Sequence, residues 1–235
     1  MFKIALTAGH YKYEAGKRCM KSLDPKETRE WVLNDRIADK VEKLLAANYT
    51  GYSLIRTDDT TGEKNVPLAS RTNAANNFKA DFYLSIHHNA GIYGGKGGGI
   101  VAYVYTNAIP ESIAWQKALY TALIDATGLK GNRSQPLAKA NLHECRESNM
   151  PAVLLELGFM DSPADVPVIL TEKFADQCAE AIVKVLAERG KLEKKPAASG
   201  RLYGVQVFAG TKAGAEAALK KAKAAGFSDA FIKTL

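Results

Sequence analysis

Strand-like and helix-like runs of apolar residues alternate through the first 190 residues. Phe2 to His10 (FKIALTAGH) is a short apolar strand that turns polar at its end. A helix is then expected from Asp24, with Asp24 as N-cap, Pro25 at the first helical position and Glu27 closing a capping box. It should run to about Ala47 on a stripe of Ile37, Ala38, Val41, Leu44 and Leu45, spaced by threes and fours. Tyr52 to Arg56 gives a second strand, and Val66 to Phe78 a helix with Pro67 at its start. Asp81 to Ala90 (DFYLSIHHNA) is apolar enough to lie inside a sheet, with its polar end opening onto the glycine-rich loop Gly91 to Gly99. That loop reads as a flexible rim, because neither Lys-Ser/Thr nor a helix follows to make a phosphate cradle. Strand Ile100 to Tyr105, helix Pro110 to Ala126, a polar stretch Asn141 to Met150, strand Pro151 to Phe159 and an amphipathic helix Lys173 to Arg189 complete the series. This alternation predicts an α/β class with an open sheet.

Several polar residues break the pattern where it should be apolar. Continued backward, the stripe of the first helix passes through Asn34 and Glu30, putting a carboxylate and an amide on its core-facing side unless the helix end projects into water. Burying such a carboxylate demands a cation, a proton or a metal. Glu156 interrupts a strand apolar on both faces, the signature of a central parallel strand, and a buried glutamate there has the raised pKa useful to a proton carrier. His10 stands at the end of the first strand. Adjacent strand residues face opposite sides, so only one of His87 and His88 can enter a given site. In open α/β sheets, side chains at carboxyl strand ends converge on one crevice.

Composition adds bounds. The chain has 235 residues, 46% hydrophobic and 24% charged, which allows one ordinary domain with a small appendage. No run of about 18 apolar residues exists, so no membrane span is expected. The chain starts directly in a strand, without the basic head and apolar stretch of a leader, so signal-peptide export is not expected. Cys19, Cys145 and Cys178 are odd in number and unpaired in pattern, as suits free thiols made in a reducing cytoplasm. The net charge of +7 is concentrated at the end: residues 191–235 carry nine Lys or Arg against three Asp or Glu, leaving 23 against 22 before them. That points to a polyanion, such as a wall polymer, a nucleic acid or a membrane surface, or to a solvated basic face. Nucleic acid is disfavoured because the tail lacks interleaved aromatic residues for stacking.

Gly190 to Gly200 is a linker by composition. Beyond it, Leu202 to Phe208 reads as a strand, Lys212 to Ala225 as an Ala/Lys-rich helix and Asp229 to Ile232 as a second strand. One strand-helix-strand unit of this size is too small to bury a core alone; it must dock, pair with a second copy or stay marginal. The expected organisation is a catalytic domain over 1–190, a linker over 191–200 and a small βαβ unit over 201–235.

Two imidazoles and one carboxylate with an open fourth position make the ligand set of a hydrolytic zinc site. His10, Glu30, His87 and Glu156 supply such a set, with one glutamate left over to move the proton of the attacking water. Magnesium or calcium would take more oxygens, and no HExxH helix is present. The segments Leu6-Thr7-Ala8-Gly9-His10, Glu30-Trp31-Val32-Leu33-Asn34, Arg71 through Asn76, Ser85 through Ala90, and Pro151 through Phe159 with Asp161 resemble the zinc-dependent N-acetylmuramoyl-L-alanine amidases of the amidase 3 type. They come in the family's order over nearly all of residues 2–189.

The resemblance implies zinc (Zn2+) on His10, Glu30 and His87, with Glu156 as the catalytic glutamate. It selects His87 over His88 through a Ser-Ile-His-x-Asn-Ala pattern, and Glu30 over Glu27 through Glu-x-x-x-Asn. Thr7-Ala8 stand where the family usually has Asp-Pro, His88 where it has a small residue, and Ser162 where Asn is common. The family further implies a central sheet with helices on both faces and cleavage of the amide between N-acetylmuramic acid and the first L-alanine of the peptidoglycan stem.

Tyr203 to Phe208, with Gly226-Phe227 and Ala230 to Ile232, resembles half of a SPOR-type wall-binding domain. This suggests attachment to glycan or an anionic wall polymer, with two chains joining their half-units in a homodimer. Without a leader peptide, the whole resembles a phage-type endolysin that acts on the cell wall. The competing readings are a zinc peptidase acting on stem peptides and a wall-binding protein without catalysis.

Overall fold

The structure, a computed structural model, describes residues 1–196 and 211–224. In chain order the elements are β1 (Phe2–Ala8), α1 (Glu30–Asn48), β2 (Tyr49–Thr50), β3 (Tyr52–Arg56), α2 (Leu68–Phe78), β4 (Phe82–Asn89), β5 (Ile100–Tyr105) and α3 (Pro110–Thr127). They continue with β6 (Leu137–Ala140), α4 (His143–Arg146), β7 (Ala152–Phe159), α5 (Val166–Ile169), α6 (Glu172–Gly190), β8 (Glu193–Lys194) and α7 (Lys212–Ala224). The chain divides into two compact units, 1–195 and 196–235.

Six strands form one sheet in the order β3-β1-β4-β7-β5-β6. The β3–β1, β1–β4, β4–β7 and β5–β6 pairs are parallel, and only β5–β7 is antiparallel. The expected α/β class with a mostly parallel sheet is therefore present. The period-2 alternation of the strands sorts their residues between two cores. Ile4 and Leu6 of β1, Phe82, Leu84 and Ile86 of β4, and Val153, Leu155 and Leu157 of β7 are fully buried in the larger core, with the apolar stripes of α1, α3 and α6. Burying each of these side chains stabilises the fold by roughly 1.5–3 kcal/mol. Trp115 of α3 stacks on Phe82 with ring centroids 3.9 Å apart. On the other face, Ala5, Tyr83 and Ala152 pack with Ala75 of α2 and Met150 in a smaller core. That second layer is thin, and it leaves the ends of β4 and β7 open to a cleft.

The structure departs from the expected elements in several places. The first helix begins at Glu30, with Arg29 in extended geometry before it. Asp24 instead closes a turn, accepting from the Lys26 and Thr28 backbone N–H groups at 3.1 and 2.7 Å, and Glu27 takes a left-handed φ of 50° that ends any helix there. Edge strand β6 and the single turn α4 lie in stretches too polar to show a period. The rim loop is tied down: Asp161 Oδ2 accepts three backbone N–H groups, from Gly91, Ile92 and Tyr93, and Asp165 Oδ2 accepts that of Gly99. Helix α7 lies where a helix was expected; the two strands expected beside it fall outside the described residues. Cys19, Cys145 and Cys178 are buried free thiols, and no helix among the described residues is long and apolar enough to cross a membrane.

Candidate metal centre

At the open edge of the thin layer lies a cleft of about 490 Å³ whose lining includes His10, Lys17, Glu30, His87, Glu144 and Glu156. His10 follows β1 in a left-handed conformation, φ 66°, uncommon for a residue with a side chain. Arg71, only 2% exposed, holds the chain in that turn by donating to Thr7 Oγ1, Ala8 O and His10 O at 3.0, 2.8 and 3.0 Å. Gly9 is required for another reason. A Cβ on it would stand 2.0 Å from His87 Cε1, so the imidazole of His87 lies directly over the backbone of Gly9.

Glu30 enters from the first residue of α1 and is 1% exposed. Its Oε1 lies 3.1 Å from His87 Nδ1 and accepts the His88 backbone N–H at 3.2 Å, while Oε2 lies 3.2 Å from His10 Nε2. Burial pushes the carboxyl pKa up, but the imidazoles of His10 and His87 beside it outweigh this and hold it well below the usual range. The two imidazoles stand edge to face, centroids 5.0 Å apart. His10, Glu30 and His87 each offer a ligand atom, and these atoms lie within 4.8 Å of one another, a group that could hold a metal ion.

The donor chemistry fits such an ion. Two nitrogens and a carboxylate suit a borderline cation, and Glu30 Oε2 is buried without a satisfying hydrogen bond, an orphan that a metal would satisfy. His10 Nδ1, on the far side of its ring, lies 2.9 Å from Glu14 Oε2, the kind of outer partner that fixes an imidazole for ligation.

Sequence neighbours His87 and His88 diverge. His87 faces the cleft; His88, 2% exposed, turns to the larger core with Nδ1 2.8 Å from Asn34 Oδ1, and burial pushes its pKa down to about 3. Asn34 also donates to Gly9 O at 3.1 Å, so the Glu30–Asn34 pair on α1 clamps β1 and β4 together.

Glu156 is the register partner of His87 across the parallel β4–β7 pair, which puts both on one face of the sheet. Its Oε2 is buried without a hydrogen bond. Burial, reinforced by the charge of Glu30, pushes its pKa up to about 7 against the pull of His87 and Lys17. It is thus a carboxylate poised near neutrality, within the same cleft and outside the group of His10, Glu30 and His87.

Two further buried residues shape the site. Glu144, 3% exposed on α4, accepts from Tyr83 Oη at 2.7 Å and Ser85 Oγ at 3.0 Å. Burial works against its ionisation, but His87, Tyr83 and Arg71 hold its pKa down to about 2. No motif marks it, because its burial depends on where one short turn packs. Arg71 lies in the Arg71 through Asn76 segment that carries the family resemblance, but sequence position alone does not give it the role of holding the His10 turn. The neighbouring His143 lines the cleft with Nε2 3.4 Å from Thr72 Oγ1, outside the triad.

Comparison with known proteins agrees with this architecture. The catalytic domain of CwlV, an N-acetylmuramoyl-L-alanine amidase from Bacillus (Paenibacillus) polymyxa var. colistinus, superposes with a TM-score of 0.71 at 26% identity, covering 82% of this chain and 100% of that one. The sporulation-specific N-acetylmuramoyl-L-alanine amidase of Bacillus subtilis (strain 168) is 36% identical over 200 residues, 85% of this chain and 74% of that protein. The endolysin of Bacillus phage SPP1 is 31% identical over 197 residues, 83% of this chain and 69% of that one. The family model Amidase_3, N-acetylmuramoyl-L-alanine amidase, matches residues 4–188. The chain belongs to this family.

Proposed function

We propose that this chain is a zinc-dependent peptidoglycan hydrolase that cleaves the amide between N-acetylmuramic acid and the L-alanine of the stem peptide. His10, Glu30 and His87 hold the metal and Glu156 carries the proton. The observation that carries the reading is the meeting of the three ligand atoms within 4.8 Å beside a glutamate in register with one of them. Family membership supports the reaction class.

When bound, zinc polarises the scissile carbonyl and lowers the pKa of a water to roughly 7. The chain's own residues do the rest. Arg71 and Gly9 fix the turn that presents His10 and leaves room for His87. Glu30, ionised and buried between the two imidazoles, keeps both ring edges turned to one point. Glu156, with its pKa near neutrality, takes a proton from the attacking water and delivers it to the departing alanine nitrogen, the dual role that a carboxylate near pH 7 performs best.

The likeness to a phage endolysin supports release to the wall from the cell that makes it. Within this reading residues 1–190 are the catalytic domain, 191–200 a linker and 201–235 a SPOR-like unit that binds glycan or an anionic wall polymer, completed by the same unit of a second chain. Light scattering of the full chain should give a homodimer; a monomer would remove the pairing.

The reaction is tested by digesting purified peptidoglycan and labelling new amino termini. The amidase reading expects N-terminal L-alanine. Other new termini would mean a peptidase, and none would mean a wall-binding protein without catalysis.

A further inference from the structure

Tyr83, Ser85 and His87 alternate along β4 and therefore share one face of it. Over that face α4 lays a single buried carboxylate, Glu144. Tyr83 Oη donates to its Oε1 at 2.7 Å, Ser85 Oγ donates to its Oε2 at 3.0 Å, and His87 Nε2 lies 3.6 Å from the same Oε2. His87 Nε2 is buried and has no hydrogen bond, while Nδ1, the other ring nitrogen, is 3.1 Å from Glu30 Oε1 on the metal-binding side.

A neutral imidazole that gives one nitrogen to a metal must carry its hydrogen on the other. For His87 the nitrogen turned to Glu30 is Nδ1, so the hydrogen belongs on Nε2. A buried N–H needs an acceptor, and Glu144 Oε2 is the carboxylate oxygen facing it. Tyr83 holds the other oxygen, Oε1, and Ser85 donates to Oε2 itself, so both ends of the carboxylate are fixed.

We propose that Glu144 is a positioning residue for the metal site. It fixes the tautomer of His87 with Nε2 protonated, aims Nδ1 at the metal and strengthens His87 as a ligand. The inference rests on the zinc reading above and deepens it, adding a carboxylate that neither the sequence motifs nor the triad includes. It also gives Tyr83 and Ser85 a purpose in the site: both are polar on a buried strand face where apolar residues would pack, and both point their donors at Glu144.

The test is made on the zinc-loaded full chain. In the wild-type protein, ring ¹⁵N NMR of His87 should show a proton on Nε2 and a metal-shifted Nδ1. Zinc affinity measured by chelator competition should fall about 10–100-fold in Glu144→Gln, the loss usual for an outer partner of a metal-binding histidine. The absorption bands of the cobalt-substituted protein should shift in the same variant. Tyr83→Phe, which removes one donor to the carboxylate, should weaken zinc in the same direction by less. Should Glu144→Gln fail to fold, the wild-type NMR and Tyr83→Phe still decide.

A metal-bound, unprotonated Nε2 would overturn the proposal. So would unchanged zinc affinity and cobalt spectrum in folded Glu144→Gln, which would leave Glu144 a packing residue while the zinc reading stands. If the wild-type chain takes up no zinc at all, both readings fall together.

Discussion

His87 and Glu156 face each other across neighbouring parallel strands, register partners on one face of the sheet. The pairing puts the imidazole proposed to bind metal beside the carboxylate proposed to carry the proton, without help from any loop. Because the two sit on adjacent strands, the β4–β7 ladder sets their spacing, just before its register shifts between His87 and Asn89. Glu156→Gln keeps the shape and removes the charge. It should leave zinc bound and the fold intact while wall lysis falls by about 10²–10⁴-fold. Lysis by metal-loaded Glu156→Gln at the wild-type rate would place the proton carrier elsewhere.

The two adjacent histidines predict opposite phenotypes. His87→Ala should lose zinc with modest effect on folding. His88→Ala should keep zinc but lower stability by about 2–4 kcal/mol, since it empties a buried site and strands Asn34 Oδ1. Zinc content and thermal melting of the two variants check this, and the reverse pattern would mean the wrong face of β4 was assigned to the metal.

Gly9→Ala touches no ligand, yet its new methyl group would fall on the His87 ring. The ring must rotate off Gly9, so zinc affinity should drop by at least about 10-fold. Unchanged affinity would show that the imidazole does not lie over the turn.

Much of this site could be read from the sequence because its polar residues stand where strand and helix periods demand apolar ones. Glu156 broke an apolar run, Glu30 and Asn34 continued a helical stripe, and His10 and His87 ended strands. The main sheet strands other than β6 were also legible for that reason. What was hidden is what depends on packing across the layers. The true start of α1 at Glu30 is set by the turn that Asp24 closes, where a capping pattern pointed several residues too early. Strand β6, Leu-Ala-Lys-Ala, has no period of its own and exists because an edge was free beside β5. Glu144 belongs to no motif, and only the placement of α4 over β4 buries it. The rim glycines read as mobile, because the carboxylates that hold them, Asp161 and Asp165, come about 70 residues later.

Glu156 also leaves a signature in stability. Its pKa in the folded, metal-free chain is raised to about 7 from an ordinary 4.5. The folded state therefore binds the proton more tightly than the unfolded state. Its favourable contribution is complete below about pH 4.5 and is lost as pH rises through 7, amounting to ~3 kcal/mol. Metal-free Glu156→Gln cannot ionise, so it should become more stable than metal-free wild type as pH is raised from 5 to 8. Chemical denaturation across that range measures the gap, and a constant difference would mean Glu156 titrates normally.

The central claim is that His10, Glu30 and His87 grip one zinc on which wall cleavage depends. The most direct measurement follows zinc content and release of N-terminal L-alanine from purified walls together, through chelation and zinc re-addition. One zinc per chain, with alanine release lost on chelation and restored with the metal, is the predicted result. Undiminished alanine release from protein stripped of zinc would contradict it.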